Sequence, residues 1–308
     1  MPAILRAEGC ELAAVASRKE SALKECTTRF PGLRQHLGYE RLLADPEIDA
    51  VYIPLPNSLH CEWTIRAAKA GKHVLCEKPL ALNAGECREM IAACERNKVL
   101  LMEAFMYRYS ERTRRVVEVL KSGVLGEIKS VTSCFRYLNS DPNSINWKSS
   151  LGGGSLYDVG CYPVNFVGLV ADIAAGVPPG GAEPDLVTGA AVLVEGVDAI
   201  ASGIFRYPHG LMATVHCGFN AHRQVVSTVV GTEGVLEIKD TFMAESGSIT
   251  LTRGKTSELI EIAGSDRYRP EVEDFAAAIR EKRPPIFSLD ETVRNMKVLD
   301  RLLASLGM

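Results

Sequence analysis

A glutamate and a lysine close an apolar run, Val74-Leu75-Cys76-Glu77-Lys78-Pro79-Leu80, and bring groups capable of proton chemistry to its end. The run reads as a strand that Pro79 stops. In an open α/β sheet, ligands bind outside the carboxyl ends of the strands, so a lysine fixed there suits a proton relay or an electrostatic catalyst. A second set lies in Gly152-Gly153-Gly154-Ser155-Leu156-Tyr157-Asp158-Val159-Gly160-Cys161-Tyr162-Pro163-Val164-Asn165. Asp158, Tyr162 and Asn165 stand at i, i+4 and i+7, one face of an otherwise apolar helix. A polar line on a buried helix needs partners, which a hydroxyl-rich ligand would supply. A purely structural reading stands beside it, with Ser155 as N-cap, Asp158 as its third-residue carboxylate and Tyr162 as a core tyrosine. Pro163 predicts a kink and a freed Val159 carbonyl.

The elements that position these groups follow from periodicity and punctuation. Apolar runs at 11–16, 48–53, 74–77 and 99–102 read as strands. Between them lie helices at 19–29, at 59–70 (capped by Ser58 and ended by Gly71) and at 84–97 (capped by Asn83). Strands alternating with helices predict a parallel sheet. After about residue 104 the pattern changes. A helix at 110–122, a strand at 127–137 and the 152–175 helix precede seven strands at 186–194, 197–206, 211–219, 224–230, 234–238, 248–252 and 258–262. Short turns between them predict an antiparallel sheet, and helices at 270–282 and 289–305 close the chain. The expected organisation is α/β plus α+β. An incomplete Rossmann-type parallel sheet (1–104) precedes an open, mainly antiparallel sheet domain (105–308), whose last helices return to the first part.

Composition narrows the function classes. The chain has 308 residues, 46% of them apolar and 24% charged, with a net charge of −3, and no basic face for nucleic acid. No apolar run reads as a membrane span. Nine cysteines form no C-x-x-C pair, which predicts core residues in a reducing, cytoplasmic setting and no metal site.

A dinucleotide-binding domain opens with a strand, a Gly-rich turn and a helix. This chain opens with residues 1–9, which read as the end of that first helix, so the strand and turn are expected to be lost. At the exit of the 11–16 strand stand Ser17, Arg18 and Lys19, with no carboxylate. Cations and a hydroxyl suit a ribose 2′-phosphate, hence NADP over NAD. A solvated basic strand exit is the other reading.

Taken together, Pro54-Leu55-Pro56-Asn57-Ser58-Leu59-His60, Glu77-Lys78-Pro79, Glu103-Ala104-Phe105-Met106-Tyr107-Arg108-Tyr109 and the 152–165 run resemble the Gfo/Idh/MocA oxidoreductase family, of the glucose-fructose oxidoreductase type. Glu271-Val272-Glu273-Asp274-Phe275 and the 295–300 segment are similar too. The nearest likeness is to the branch of NADP-dependent D-xylose 1-dehydrogenases and dimeric dihydrodiol dehydrogenases, which carry Tyr where other relatives carry His. The resemblance implies hydride transfer between a sugar or diol carbon and NADP, NAD being possible. Tyr162 would be the acid/base, Lys78 would lower its pKa, and Asp158 would hold a substrate hydroxyl.

Further roles rest on the same resemblance. Ser17, Arg18, Pro54, Asn57, His60, Glu77, Lys78 and Arg108 would contact cofactor, with a cis peptide at Lys78–Pro79. Trp147, Lys148, Asp158 and Asn165 would line the substrate pocket. His60, read from its own surroundings, is an ordinary helix residue. The open sheet would pair two subunits as a homodimer. Relatives begin about 15–20 residues earlier with the Gly-rich turn, which leaves two explanations: a misassigned or shortened start of an ordinary enzyme, or a natural short form that binds no NADP and serves as a pseudoenzyme or dimer partner. An NAD-assisted glycoside hydrolase of the same family is a further alternative.

Overall fold

Short apolar runs, each stopped by a turn residue, build the first third of the protein. The computed structural model describes residues 1–308. Helix α1 (Pro2–Arg6) leads to strands β1 (Ala14–Ser17), β2 (Arg34–Leu37), β3 (Ala50–Ile53), β4 (His73–Glu77) and β5 (Leu101–Ala104). Helices α2 (Glu20–Arg29), α3 (Tyr39–Leu43), α4 (His60–Lys69) and α5 (Ala84–Arg96) alternate with them. Every pairing among these strands is parallel, but they form two sheets, β1-β2 and β3-β4-β5, with no strand bonded to both. The parallel pairing is the one that the sequence predicts. β2 and α3 were not expected. The strand Arg34-Gln35-His36-Leu37 offers only one apolar residue, and its place comes from pairing with β1.

Local chemistry explains the ends. Asn83 caps α5, its side-chain oxygen accepting the Glu86 N–H at 2.9 Å. Gly71, at φ +74°, closes α4 in a conformation that Cβ-bearing residues avoid. Ser58 does not cap: residues 57–59 form a 3₁₀ turn and α4 starts at His60.

Helix α6 (Glu111–Lys121) and β6 (Ile128–Leu138) open the second part. A π turn at Leu156–Gly160 runs into α7 (Cys161–Ala175). Then come β7 (Leu186–Val194), β8 (Val197–Arg206), β9 (Met212–Gly218), β10 (Asn220–Gly231), β11 (Val235–Lys239), β12 (Gly247–Arg253) and β13 (Thr256–Ile262). With β6 they form one sheet of order β13-β12-β11-β10-β6-β9-β8-β7, antiparallel throughout except for β6 with β9. The segment Ser149–Ala175 is long and apolar enough to cross a membrane, but 78% of its apolar window is buried inside the protein, as in a core helix. Helices α8 (Arg269–Glu281) and α9 (Leu289–Ser305) end the chain. α9 ties the two parts together: Asp300 accepts the Ala84 N–H at 2.9 Å and Thr292 donates to Glu103 at 2.7 Å.

Candidate active site

The carboxyl ends of β3 and β4 open into a cleft of about 240 Å³ against the 145–158 segment. Glu77 and Lys78 sit there because β4 ends at Glu77; the Lys78–Pro79 peptide is cis. Tyr52, at the end of β3, donates its hydroxyl to Glu77. Pro54 and Asn57 also line the cleft, and Asn57 donates to the Gly152 carbonyl at 2.8 Å.

The opposite wall is the start of the buried helix, and its backbone is unusual. Residues 156–160 are wound as a π turn, where each carbonyl seeks the N–H five residues on. For Asp158 that residue is Pro163, which has no N–H. Lys78 takes the place, donating from Nζ to the Asp158 carbonyl at 2.5 Å. The expected freed carbonyl was that of Val159; the one given to a side chain is Asp158's. Ser155 is not the cap either. It donates to Asp198 Oδ2 at 2.7 Å, and the Leu156 N–H donates to the same oxygen at 2.7 Å. Gly154, at φ +116°, is required there, since a Cβ would come within 2.2 Å of Asp198 Oδ1.

The Asp158 side chain faces the cleft. Oδ2 accepts from the Tyr137 hydroxyl at 2.5 Å and from Asn146 Nδ2 at 2.9 Å, while Oδ1 stands 3.9 Å from Lys78 Nζ. Burial opposes the Lys78 charge, but Cys161, Asp158 and Glu77 outweigh it and raise its pKa, so the group is an ammonium at neutral pH.

Tyr162 lies behind Lys78, whose Nζ is 5.1 Å from the ring centre. Its hydroxyl faces the Met106 sulfur at 3.7 Å, and Phe105, Phe135, Tyr107 and Phe242 surround the ring. Burial pushes the phenol well above its ordinary pKa. The expected lowering by Lys78 is therefore corrected: the ammonium meets the ring face rather than the oxygen, and loss of water dominates.

Several other expectations change. His60 is fully buried, with Nδ1 2.9 Å from the Pro79 carbonyl and Nε2 2.8 Å from the Leu55 carbonyl, so no ring nitrogen is left for a cofactor. Burial lowers its pKa against the pull of those carbonyls, and it pins the loops after β3 and β4 together. Arg108 points away from the cleft, into a buried ion pair with Glu291 at 2.7 Å, and donates to Asn165 at 3.2 Å. Asn165 itself is fully buried and also accepts from Tyr107, so it belongs to the core and not to a substrate wall. Trp147 packs edge-on against Phe219, 4.4 Å between ring centres, in a small cluster with Val197 and Ala199. Lys148 is exposed and does not line the cleft.

Glu103 is a site-supporting group that sequence reasoning did not assign. It is buried at the foot of the β4 loop, accepting the Leu80 N–H at 2.9 Å and the Thr292 hydroxyl at 2.7 Å. Burial raises its pKa from 4.5 to about 7. The folded state thus holds this proton more tightly than the unfolded chain does. Stability is fullest below about pH 4.5 and falls as pH rises through about 7, by roughly 3 kcal/mol. Glu103→Gln, a neutral isostere that keeps an acceptor for Leu80, is expected to flatten that part of the stability curve in urea melts between pH 4.5 and 7.5. An unchanged slope would assign it to another group.

The side chains present fit a nicotinamide dinucleotide at its two ends. Arg18 is exposed at the β1 exit and forms no ion pair, and Ser17 Oγ accepts the Lys19 N–H at 3.1 Å, so this end offers a free cation and a hydroxyl. Pro54, Asn57, Glu77 and Lys78 line the other end. Comparison with known proteins agrees. Residues 1–105 match the model of an oxidoreductase family with an NAD-binding Rossmann fold, GFO_IDH_MocA, and residues 113–237 match the GFO/IDH/MocA C-terminal domain. The family match begins at residue 1, and relatives align over 99% of this chain, which gives no support to the N-terminal loss expected above. An uncharacterised oxidoreductase of Rhizobium meliloti is 37% identical over 99% of this chain and 92% of its own. A D-xylose 1-dehydrogenase (NADP⁺) of Haloferax volcanii is 36% identical with the same coverage. A 3-ketoreductase from Actinomadura kijaniata, solved with NADP and TDP-benzene, superposes with a TM-score of 0.91 at 28% identity, over 99% of this chain and 92% of that one.

Proposed function

The chain belongs to the Gfo/Idh/MocA oxidoreductase family, and from that premise we propose that it moves hydride between NADP and the hydroxyl-bearing carbon of a sugar or diol. The observation that carries this reading is Lys78, held as an ammonium in the cleft by the Asp158 carbonyl with the free Asp158 oxygen beside it. Bound nicotinamide supplies the hydride acceptor or donor. The protein's part is to fix the substrate oxygen and manage its proton. Lys78 stabilises the alkoxide, which forms when hydride adds to the carbonyl carbon in reduction, or when the hydroxyl gives up its proton before hydride leaves in oxidation. Tyr162 is the acid/base partner: its raised pKa keeps it protonated, so it gives the alkoxide its proton in the reductive direction, while in oxidation the hydroxyl proton passes to solvent at the open cleft. The ketoreductase relative offers a parallel: variants of it were solved in which a lysine or a tyrosine, 84 positions apart, was replaced. Lys78 and Tyr162 have the same separation. NADP over NAD rests on Arg18 and Ser17 at the β1 exit.

The outer face of the eight-stranded sheet carries Leu186, Val192, Ile204 and Met212 exposed, a surface suited to pairing two copies. Growth of absorbance at 340 nm with NADP and D-xylose, D-glucose or trans-1,2-cyclohexanediol tests the catalytic reading, and the same preparation is expected to sediment as a dimer. No turnover with any of these, together with no NADP binding by calorimetry, would favour a non-catalytic protein.

A further inference from the structure

The polar groups around Asp158 reach beyond the lysine and tyrosine. Tyr137, on β6, and Asn146, in the 3₁₀ turn Ile145–Trp147, both end on Asp158 Oδ2, and Asn146 Nδ2 also donates to the Tyr137 hydroxyl at 2.8 Å. That closes a three-membered ring of hydrogen bonds on one carboxylate oxygen. Its geometry is fixed from below. The Asn146 carbonyl accepts the Gly154 N–H at 3.0 Å, and a Cβ on Gly153 would come within 2.6 Å of that carbonyl oxygen. The glycine run is therefore the floor on which Asn146 rests.

The consequence is polarity at the cleft. An ionised carboxylate offers acceptor sites on both oxygens, but here Oδ2 is used by the protein. Oδ1 has only Lys78 Nζ, 3.9 Å away, too far for a direct hydrogen bond. A hydroxyl oxygen placed ~2.8 Å from each would bridge that gap, donating to Oδ1 and accepting from Lys78. The Asn146 orientation is set as well. Because Nδ2 must face the carboxylate, the amide oxygen is left as a second acceptor in a cleft that Asn146 lines. One ammonium and two acceptors within one carboxylate's reach match adjacent hydroxyls better than a single alcohol.

We propose that Tyr137 and Asn146 are specificity-determining positioning residues, which fix Asp158 so that the site takes a substrate with two neighbouring hydroxyls. The proposal rests on the sugar or diol reading above. D-Glucose and 2-deoxy-D-glucose, which differ by the hydroxyl next to the anomeric carbon, are the probes. They are titrated calorimetrically into the NADP-loaded protein, and in parallel their NADP-linked turnover is followed. The wild-type protein is expected to bind D-glucose about tenfold or more tightly than the deoxy sugar, the effect of one well-made hydrogen bond to a charged group. Tyr137→Phe and Asn146→Ala are each expected to weaken D-glucose about tenfold and the deoxy sugar much less. The preference then collapses, with the larger part of the change in KM for D-glucose. Equal losses for both sugars in both variants, no loss in either, or no wild-type preference would overturn the proposal. Circular-dichroism melts check that both variants fold, and Asn146→Ala, in a half-exposed turn, keeps the test open should Tyr137→Phe fail to fold. Turnover failing while the binding preference holds would overturn the oxidoreductase reading and leave this one standing.

Discussion

Lys78→Met is expected to lower kcat/KM about 10³-fold while leaving the melting temperature within a few degrees of wild type. Preorganised charge at a developing oxyanion is worth about 10²–10³ in rate for one donor, and an ammonium is stronger than a neutral donor. Methionine retains the apolar stem and its contact with the Tyr162 ring, so packing is conserved. Two stability terms oppose each other. The Asp158 carbonyl loses its ammonium donor and keeps only a weak one, the Cys161 thiol at 3.9 Å, a cost of about 1–3 kcal/mol if it stays dry, but removing a largely buried ammonium relieves its desolvation. Because the lysine pKa is raised, its charge persists across the neutral range. Any fall in wild-type activity between pH 6 and 9 therefore belongs to another group. Steady-state kinetics at 340 nm and a thermal melt on one preparation check both halves. A variant that keeps more than a tenth of wild-type kcat/KM would remove Lys78 from the chemistry.

The reach of the sequence, and its limit, show in the polar line along α7. Spacing at i, i+4 and i+7 correctly places Asp158, Tyr162 and Asn165 in one string of contacts. That string runs inward rather than along the cleft. Asp158 meets Lys78 and solvent, Tyr162 is enclosed by aromatics, and Asn165 is buried under Tyr107 and Arg108. Depth is set by what packs on top, and periodicity does not carry it. The same holds for His60 and Arg108, whose side chains satisfy backbone and core groups. Lys78 and Glu77 were legible because a proline after an apolar run marks a strand's carboxyl end, where sheet geometry leaves space. Tyr52, Tyr137 and Asn146 were missed because each depends on a partner 12 to 25 positions away. Asp198 left a usable signal, a single acid within the apolar stretch Val197–Phe205, and the structure makes it the acceptor at the start of the cleft's second wall. The fold class was readable because strand–helix alternation and the later run of strands are local patterns. The split between β1-β2 and β3-β4-β5 follows from which strands pair.

Arg108 gives the sharpest separation between a cofactor contact and a core residue. Its guanidinium is buried, paired with a fully buried Glu291 at 2.7 Å and set over the Phe287 ring at 5.0 Å. Glu291 also closes the capping box that starts α9, accepting the Ser288 N–H at 3.2 Å. Removing the arginine leaves a carboxylate buried without its counter-charge, which costs about 3–5 kcal/mol. For a chain of this size each kcal/mol moves the midpoint by roughly 2–4 °C, so Arg108→Met is expected to melt about 10 °C lower than wild type. The loss also loosens α9, whose Thr292 and Asp300 bind the first part of the protein, so urea unfolding should begin earlier. Adding Glu291→Leu should restore part of the loss, since the unpaired charge goes with it. At a temperature where Arg108→Met is fully folded, its KM for NADP should stay within about threefold of wild type, because no atom of the pair faces the cleft. A variant with unchanged melting and a tenfold higher KM for NADP would return Arg108 to the nicotinamide site, and the core account of the 106–109 turn would then be wrong.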